Sequence, residues 1–255
     1  MTKRGDPRAP ENYDPRQFPA FAVTVDVVIL TLANDRLHVL LVRRGVAPFE
    51  GMWAVPGGFK RPDETLDAAA RRELSEETGV DVPSLLRQFG AYGDPGRDPR
   101  MNVVTVAYLA VLRDVGAIVA GTDAAHAALV PASEILEQRI ELAFDHLRIV
   151  RDAVERIRVE LEVSGIAPAF VGETFTMAEL RAVYEAIWGV QLDAANFRRS
   201  LVGEGARGEG GWVIPTGRTA RPGRGGGRPA ELYRAGRAWQ HGTPIQRGQR
   251  IDERR

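Results

Sequence analysis

Apolar and polar positions fall into three regimes along this chain of 255 residues. The first is strand-like. Phe21–Leu32 (FAVTVDVVILTL) is apolar and β-branched, Asn34-Asp35 supplies a turn, and Leu37–Val42 (LHVLLV) completes a hairpin. A loop at Arg43–Met52, with Gly45, Pro48 and Gly51, leads to a short strand at Trp53–Val55 that Pro56-Gly57-Gly58 stops. A helix is predicted from about Leu66 to Thr78, with Thr65 or Asp63 as N-cap and Gly79 just past its end. Leu86–Gly90 and Val103–Leu112 read as further strands on either side of the polar loop YGDPGRDPR.

From Pro131 to about Val163 the pattern turns helical. Leu142, Phe144, Leu147, Val150, Val154, Ile157 and Leu161 recur at spacings of two to four, with Arg and Glu between them. Gly165–Glu173 is a break. Beyond it, TFTMAELRAVYEAIWG carries the capping-box pair Thr176 and Glu179, an apolar stripe (Met177, Leu180, Val183, Tyr184, Ile187) and a terminating Gly189. Asp193 then caps a second helix, AANFRRSLV. A Gly-rich loop (Gly203–Gly211), a strand at WVIP, the basic loop TGRTARPGRGGGRP and a return strand at AELYR follow. Helix, turn, helix, strand, basic loop, strand is the order of a winged helix-turn-helix. The chain thus divides into a flexible arm at 1–19, a first domain at 20–165, a winged-helix domain at 166–235 and a disordered tail at 236–255.

Composition narrows the choices. There is no cysteine, which excludes disulfides, thiolate metal sites and thiol nucleophiles. The first twenty residues lack the apolar core of a signal peptide, and no apolar run reaches membrane-spanning length. A cytoplasmic protein with no membrane partner is expected. The net charge of zero conceals an asymmetry. Residues 196–255 hold 13 Arg, no Lys and five acids, a net +8, so the remaining 195 residues carry −8. The two parts therefore suit different partners.

The segment Gly58–Val80, GFKRPDETLDAAARRELSEETGV, concentrates the candidate chemistry. On a helix, Glu73, Glu76 and Glu77 span an arc of roughly 100° and can face one point. Leu66, Ala70 and Leu74 fall on the adjacent arc and anchor the helix. Three close carboxylates repel, and an oxygen-ligated Mg²⁺ or Mn²⁺ would supply the counter-charge and bind phosphate. An acidic run alone is more often a solvated helix face. Here the whole spacing decides: Gly58, five residues, Glu64, seven residues, then Arg72-Glu73-Leu74-x-Glu76-Glu77-x-Gly79-Val80. This resembles the Nudix box in every fixed position. The resemblance implies an α/β/α sandwich with a mixed sheet, and cleavage of a nucleoside diphosphate linked to another group. It also implies Glu73, Glu76, Glu77 and the Gly58 carbonyl as Mg²⁺ ligands, with Glu64 and Arg72 as supports. The proton acceptor is open: one Glu of the triplet, or Asp123, Glu134, Glu141 or Asp145 outside it. Pro95, 15 residues past Val80, resembles the mark of the ADP-ribose subgroup, with Pro99 competing for that place. Arg43, Arg44, Arg97 and Arg100 are candidates to meet phosphates, and Trp53, Phe49 or Tyr92 to stack on adenine.

In the C-terminal domain, Asn196, Arg198 and Arg199 are candidates for the major groove. Arg218, Arg221, Arg224 and Arg228 are candidates for the phosphates or minor groove beneath the wing. WAVPGGF, YGDPGRDPR, LAFDH, FTMAELRAVYEAIWG, NFRRSL and GGRPAELYR together are similar to the NrtR family of Nudix-related regulators of NAD metabolism, over roughly residues 20–235. That resemblance implies a homodimer on a palindromic operator, released by ADP-ribose. Many members carry a degraded box, whereas this one is complete, so hydrolysis stays open. An ADP-ribose pyrophosphatase with an accessory basic domain is the alternative reading, and a sugar-responsive regulator of the same build is a third.

Overall fold

The computed structural model describes residues 14–79, 85–113, 124–202, 211–220 and 229–237, together with Ile245 and Arg247. Strand β1 (Ala22–Ala33) is the spine of a mixed sheet. It runs parallel to β6 (Val103–Val111) and antiparallel to β2 (Arg36–Arg44) and to β4 (Gly57–Phe59). β5 (Leu85–Tyr92) extends the sheet beyond β6, while β3 (Trp53–Ala54) and β7 (Ala124–Pro131) pair with β2.

Strand geometry explains why β1 is apolar almost throughout. Successive side chains point to opposite faces, and both faces are covered. Val25, Val27 and Ile29 pack with Ala69, Ala70 and Leu74 of α1 (Leu66–Thr78). Val28 and Leu30 lie in the other layer, with Ile149, Val150, Ala153, Val154 and Ile157 of α3 (His146–Val163). The lone charge in the strand, Asp26, is buried.

The second layer continues without a break into the winged-helix unit. Helix α4 (Met177–Trp188) contributes Leu180, Val183, Tyr184, Ile187 and Trp188 to the same core, and α5 (Ala194–Val202) adds Phe197 and Leu201. The Trp188 Nε1–H donates to the Arg158 carbonyl at 3.1 Å, and Arg158 Nε–H donates to the Ile187 carbonyl at 3.2 Å. Thr176 and Glu179 close the capping box, and Gly189 ends α4 in the left-handed region. The ribbon of β8 (Val213–Thr219) and β9 (Glu231–Ala235) is tied to the body where Phe175 and Tyr233 exchange backbone hydrogen bonds.

The elements depart from the sequence expectations in four places. Pro56 does stop β3, but Gly57–Phe59 resumes as β4 because the glycines let it lie against β1. A Cβ at Gly57 would sit 2.3 Å from the Val25 carbonyl oxygen. Ala124–Pro131, not foreseen as a strand, pairs with β2. The helical pattern after Pro131 is not one helix: a short α2 (Ala132–Leu136) is followed by an irregular run before α3. Within that run Leu142 bridges to Trp53 and Phe144 takes a positive φ of 54°, so their apolar spacing reflects packing rather than helical period. The tail is not wholly loose. Ile245 is buried in the core, and Arg247 pairs with Glu155 and Glu162 of α3.

Candidate functional site: an acidic helix, an arginine-rich cleft and a basic helix

The Gly58–Gly79 loop and helix form a compact charged network. Thr65 Oγ accepts from the Ala68 amide and Gly79 is left-handed, so α1 is capped at both ends. Arg72 is the hub. It donates to Glu64 at 2.8 and 3.0 Å, to Glu73 at 2.7 Å, to Glu76 at 3.0 Å and to the Phe59 carbonyl at 3.1 Å. Glu64 also accepts from the Arg61 amide. These bonds to the ionised form hold the Glu64 carboxyl down at about 2.

The three box glutamates do not converge. Among the described residues no three Asp, Glu or His side chains close around one point. Glu73 is buried and lies against Gly58, where a Cβ would approach its carboxylate to 2.3 Å. Glu76 is half-exposed and turns toward Arg61 and Arg72. Glu77 accepts from the Gly57 amide at 3.0 Å and has no cation within ion-pair distance among the described residues. The arc expected from helical spacing is thus split by Arg72, which supplies the counter-charge to two of the three. Burial pushes Glu77 up to about 8, reinforced by Glu73 and Asp26, and burial raises Glu73 as well. A buried carboxylate this reluctant to ionise gains by meeting a cation, and the donors here are all oxygens. In donor chemistry, though not in the convergence of the three side chains, the set suits a hard divalent ion.

Glu77 opens into a cleft of about 200 Å³ whose lining includes Asp26, Arg43, Arg44, Arg97, Arg100, Phe144 and His146. Of its arginines, two are already engaged by acids. Arg97 donates bidentately to Asp145 at 2.7 and 3.0 Å and reaches Asp26 at 3.3 Å, with 5% of its side chain exposed. Arg100 is chelated by Asp98 at 2.7 and 3.0 Å. Arg43 donates to the Gly51 carbonyl and lies over Trp53, and Arg44 donates to the Pro48 carbonyl and lies over Phe144. Burial and the neighbouring Arg100 lower the Arg44 pKa. His146, the first residue of α3, accepts the Val55 amide on Nδ1 at 3.1 Å, which puts its own proton on Nε2, 3.8 Å from Asp26. Burial lowers the pKa of this imidazole, against the pull of Asp26 and Asp145.

The remaining expected residues divide. Trp53 flanks the cleft under Arg43, and Phe49 meets Phe144 edge-to-face with centroids 4.8 Å apart. Tyr92 is drawn elsewhere, donating to Asp152 beneath Arg148. Of the outside acids, Asp145 borders the cleft through Arg97, Glu134 and Glu141 do not line it, and Asp123 falls outside the described residues. Asp26, Asp98, Phe144 and His146 were not singled out as site residues. A lone Asp inside the apolar run VTVDVVIL was the signal for Asp26, and the motifs YGDPGRDPR and LAFDH held the other three. A larger cleft, about 760 Å³, lies between α2, α3 and α4. Its Arg36, Arg158 and Arg181 are matched by Asp35, Glu137 and Glu185, so it lacks the cationic excess that a phosphate ligand requires.

On the winged-helix unit, Arg198 and Arg199 are both exposed on α5. Arg198 is drawn back over Tyr233 and toward Glu231 at 3.5 Å, whereas Arg199 has no ion-pair partner among the described residues. Asn196 is half-buried, its amide donating to Asp193, the N-cap of α5. Arg218 is exposed on β8, and Arg221, Arg224 and Arg228 lie outside the described residues.

The NUDIX domain profile matches residues 21–153, and the profile of the NrtR DNA-binding winged helix domain matches residues 169–235. The chain belongs to the Nudix family. Its winged helix is of the NrtR type. Over 224 residues, 87% of this chain and 85% of the relative, it is 33% identical to the ADPR responsive transcriptional repressor NtrR of Acinetobacter baylyi. The crystal structure of Shewanella oneidensis NrtR complexed with a 27mer DNA is similar at a TM-score of 0.68 and 33% identity, covering 84% of this chain and 93% of that one. The NUDIX domain of the same NrtR, complexed with ADP ribose, matches at a TM-score of 0.52 and 36% identity, covering 57% and 94%. The Nudix half is also 38% identical to an ADP-ribose pyrophosphatase of Methanocaldococcus jannaschii, over 51% of this chain and 72% of the relative. No helix among the described residues is long and apolar enough to cross a membrane.

Proposed function

We propose that this Nudix protein is a cytoplasmic transcriptional repressor of NAD-metabolism genes. Its cleft binds ADP-ribose, and its winged helix binds a palindromic operator as a homodimer. The observation that carries this is the likeness to an ADP-ribose-responsive repressor over both domains at once. The unbroken apolar core joining cleft domain to winged helix supports it, because a shift at one can reach the other. On α5, Arg199 is exposed, meets no acid among the described residues and can meet phosphates, while Arg198 steadies the helix against the wing.

The complete box favours a second capacity in the same cleft, hydrolysis of the bound ADP-ribose. Glu73, Glu76, Glu77 and the Gly58 carbonyl would hold Mg²⁺ or Mn²⁺. Such an ion, when bound, polarises the diphosphate and lowers the pKa of a water. Arg72 positions Glu73 and Glu64 and must yield Glu76. The Gly57 amide orients Glu77. Asp26 and His146 are buried polar groups in the lining of the same cleft. The alternative, a pyrophosphatase with an accessory basic domain, rests on the intact box and the archaeal relative. A gel shift on promoters of NAD-biosynthesis genes separates them. The repressor reading predicts a salt-sensitive, sequence-specific complex that ADP-ribose dissolves. No such complex alongside rapid AMP release would favour the enzyme reading.

A further inference from the structure

The sequence does not stop with the wing. The winged-helix profile ends at residue 235, as β9 does, and the chain runs on to Arg255. Its exit is pinned. The Gly236 amide donates to the Trp212 carbonyl at 2.9 Å, and a Cβ at Gly236 would sit 1.9 Å from the Gly211 carbonyl oxygen. Further on, Ile245 and Arg247 lie back on the first domain. Ile245 is 7% exposed, within the core layer that α3 and α4 share. Arg247 reaches two glutamates of α3, Glu155 at 3.2 Å and Glu162 at 3.4 Å. Their sequence spacing puts them two turns apart on one face of the helix. Glu162 meets no cation but Arg247 among the described residues. Glu155 is shared. It also pairs with Arg158, the residue that is hydrogen-bonded to Ile187 and Trp188 of α4. Tail, α3 and winged helix therefore meet in one network.

The other end of α3 borders the Nudix cleft. His146 lines it, and Asp145, the N-cap, holds Arg97. From His146 to Glu162 the helix rises about 24 Å. One rigid element thus has the cleft at its head and the contacts of α4 and of the tail toward its foot. Attachment through α4 alone leaves the winged helix room to rock against α3, and a second anchor on the same helix limits that freedom.

We infer that the segment after the wing is a strap. Docked on α3 through Ile245 and Arg247, it ties the winged helix to the helix that borders the cleft, and so strengthens the coupling between ligand and operator. The coupling role rests on the ADP-ribose repressor reading, whereas the docking does not. The anchor is modest, because the Arg247 side chain is 41% exposed and exposed ion pairs each add little. It tunes the response rather than gating it.

Two measurements on full-length protein test the strap. Amide hydrogen exchange on free protein reads the docking. Arg247→Glu should speed exchange in α4 about two- to tenfold, and Ile245→Asp should speed it more. Arg247→Lys, which keeps the charge, should match wild type. Anisotropy with labelled operator reads the coupling, as the ratio of dissociation constants with and without saturating ADP-ribose. Arg247→Glu and Ile245→Asp should lower this ratio about two- to tenfold, with Arg247→Lys unchanged. Thermal unfolding accompanies each variant, and the two Arg247 variants, altered at the surface, carry the test should Ile245→Asp unfold. Unchanged exchange in Arg247→Glu overturns the strap. Faster exchange with an unchanged ratio overturns its coupling role. If the wild-type ratio is already one, the ligand-response reading fails, and the exchange result alone decides the docking.

Discussion

Two arginines organise the two walls of the cleft, and they do it in opposite ways. Arg72 gathers Glu64, Glu73 and Glu76 from within 13 residues of one loop and helix. Arg97 ties Asp26, 71 residues away, to Asp145, 48 residues away. The first network is local and opens to solvent at Glu76. The second is long-range, with 5% of the Arg97 side chain exposed. A local network can be read from spacing and is cheap to form. A long-range one exists only once the fold has formed, and it locks β1, the loop after β5 and the head of α3 together.

The comparison predicts unequal costs. Arg97→Met strands two carboxylates in a buried setting and should destabilise the fold by about 3–5 kcal/mol. Arg72→Met should cost less, about 1–3 kcal/mol, because Glu76 is half-exposed and Glu64 keeps its bond from the Arg61 amide. Urea unfolding of both variants checks the order, and equal losses would break the distinction.

Glu77→Gln is next in size. If the box hydrolyses ADP-ribose, AMP release should fall about 100-fold or more, while ADP-ribose binding persists. Fluorescence or calorimetric binding assays beside an AMP assay separate the two effects.

A pH dependence follows from the same residue. The folded-state pKa of Glu77, about 8, lies above its ordinary 4.5. Between those values the folded protein holds a proton that the unfolded chain has lost, so metal-free stability falls as pH rises through that window. Mg²⁺ needs the ionised form, so its stabilising effect should grow from pH 6.5 to 8.5, with proton release on binding. Melting temperatures with and without Mg²⁺ measure this. Glu77→Gln should flatten the metal-free slope.

The smallest expected effect is on the other domain. Arg199→Ala should weaken DNA binding about uniformly across sequences and lower the salt slope by about one. Arg198→Ala should act mainly through stability, since Arg198 is drawn toward Glu231. Salt-dependent anisotropy with labelled operator distinguishes them.

What was legible in the sequence follows the same division. The box could be read because its constraints are helical spacing, and the winged helix because Thr176, Glu179 and Gly189 punctuate it locally. The cleft wall was legible only in part: its arginines, Arg44 and Arg97 among them, were candidates, whereas Asp26 and Phe144 were not, because they join them only through sheet pairing and the irregular run before α3. Phe144 was misread outright. Its spacing matched a helix, yet the chain turns there with positive φ. β4 was missed because two glycines read as a stop, while their lack of side chains is what admits the strand beside β1. Convergence of the three glutamates was overestimated, since spacing fixes where side chains start and not whom Arg72 recruits.

The most direct test of the central claim is one titration. Full-length protein, labelled operator DNA and Mg²⁺ are mixed, ADP-ribose is added stepwise, and anisotropy and AMP are followed together. The account predicts a specific DNA complex that ADP-ribose releases, with release lost in Arg44→Met while DNA affinity is kept. A specific complex that saturating ADP-ribose leaves intact would contradict it.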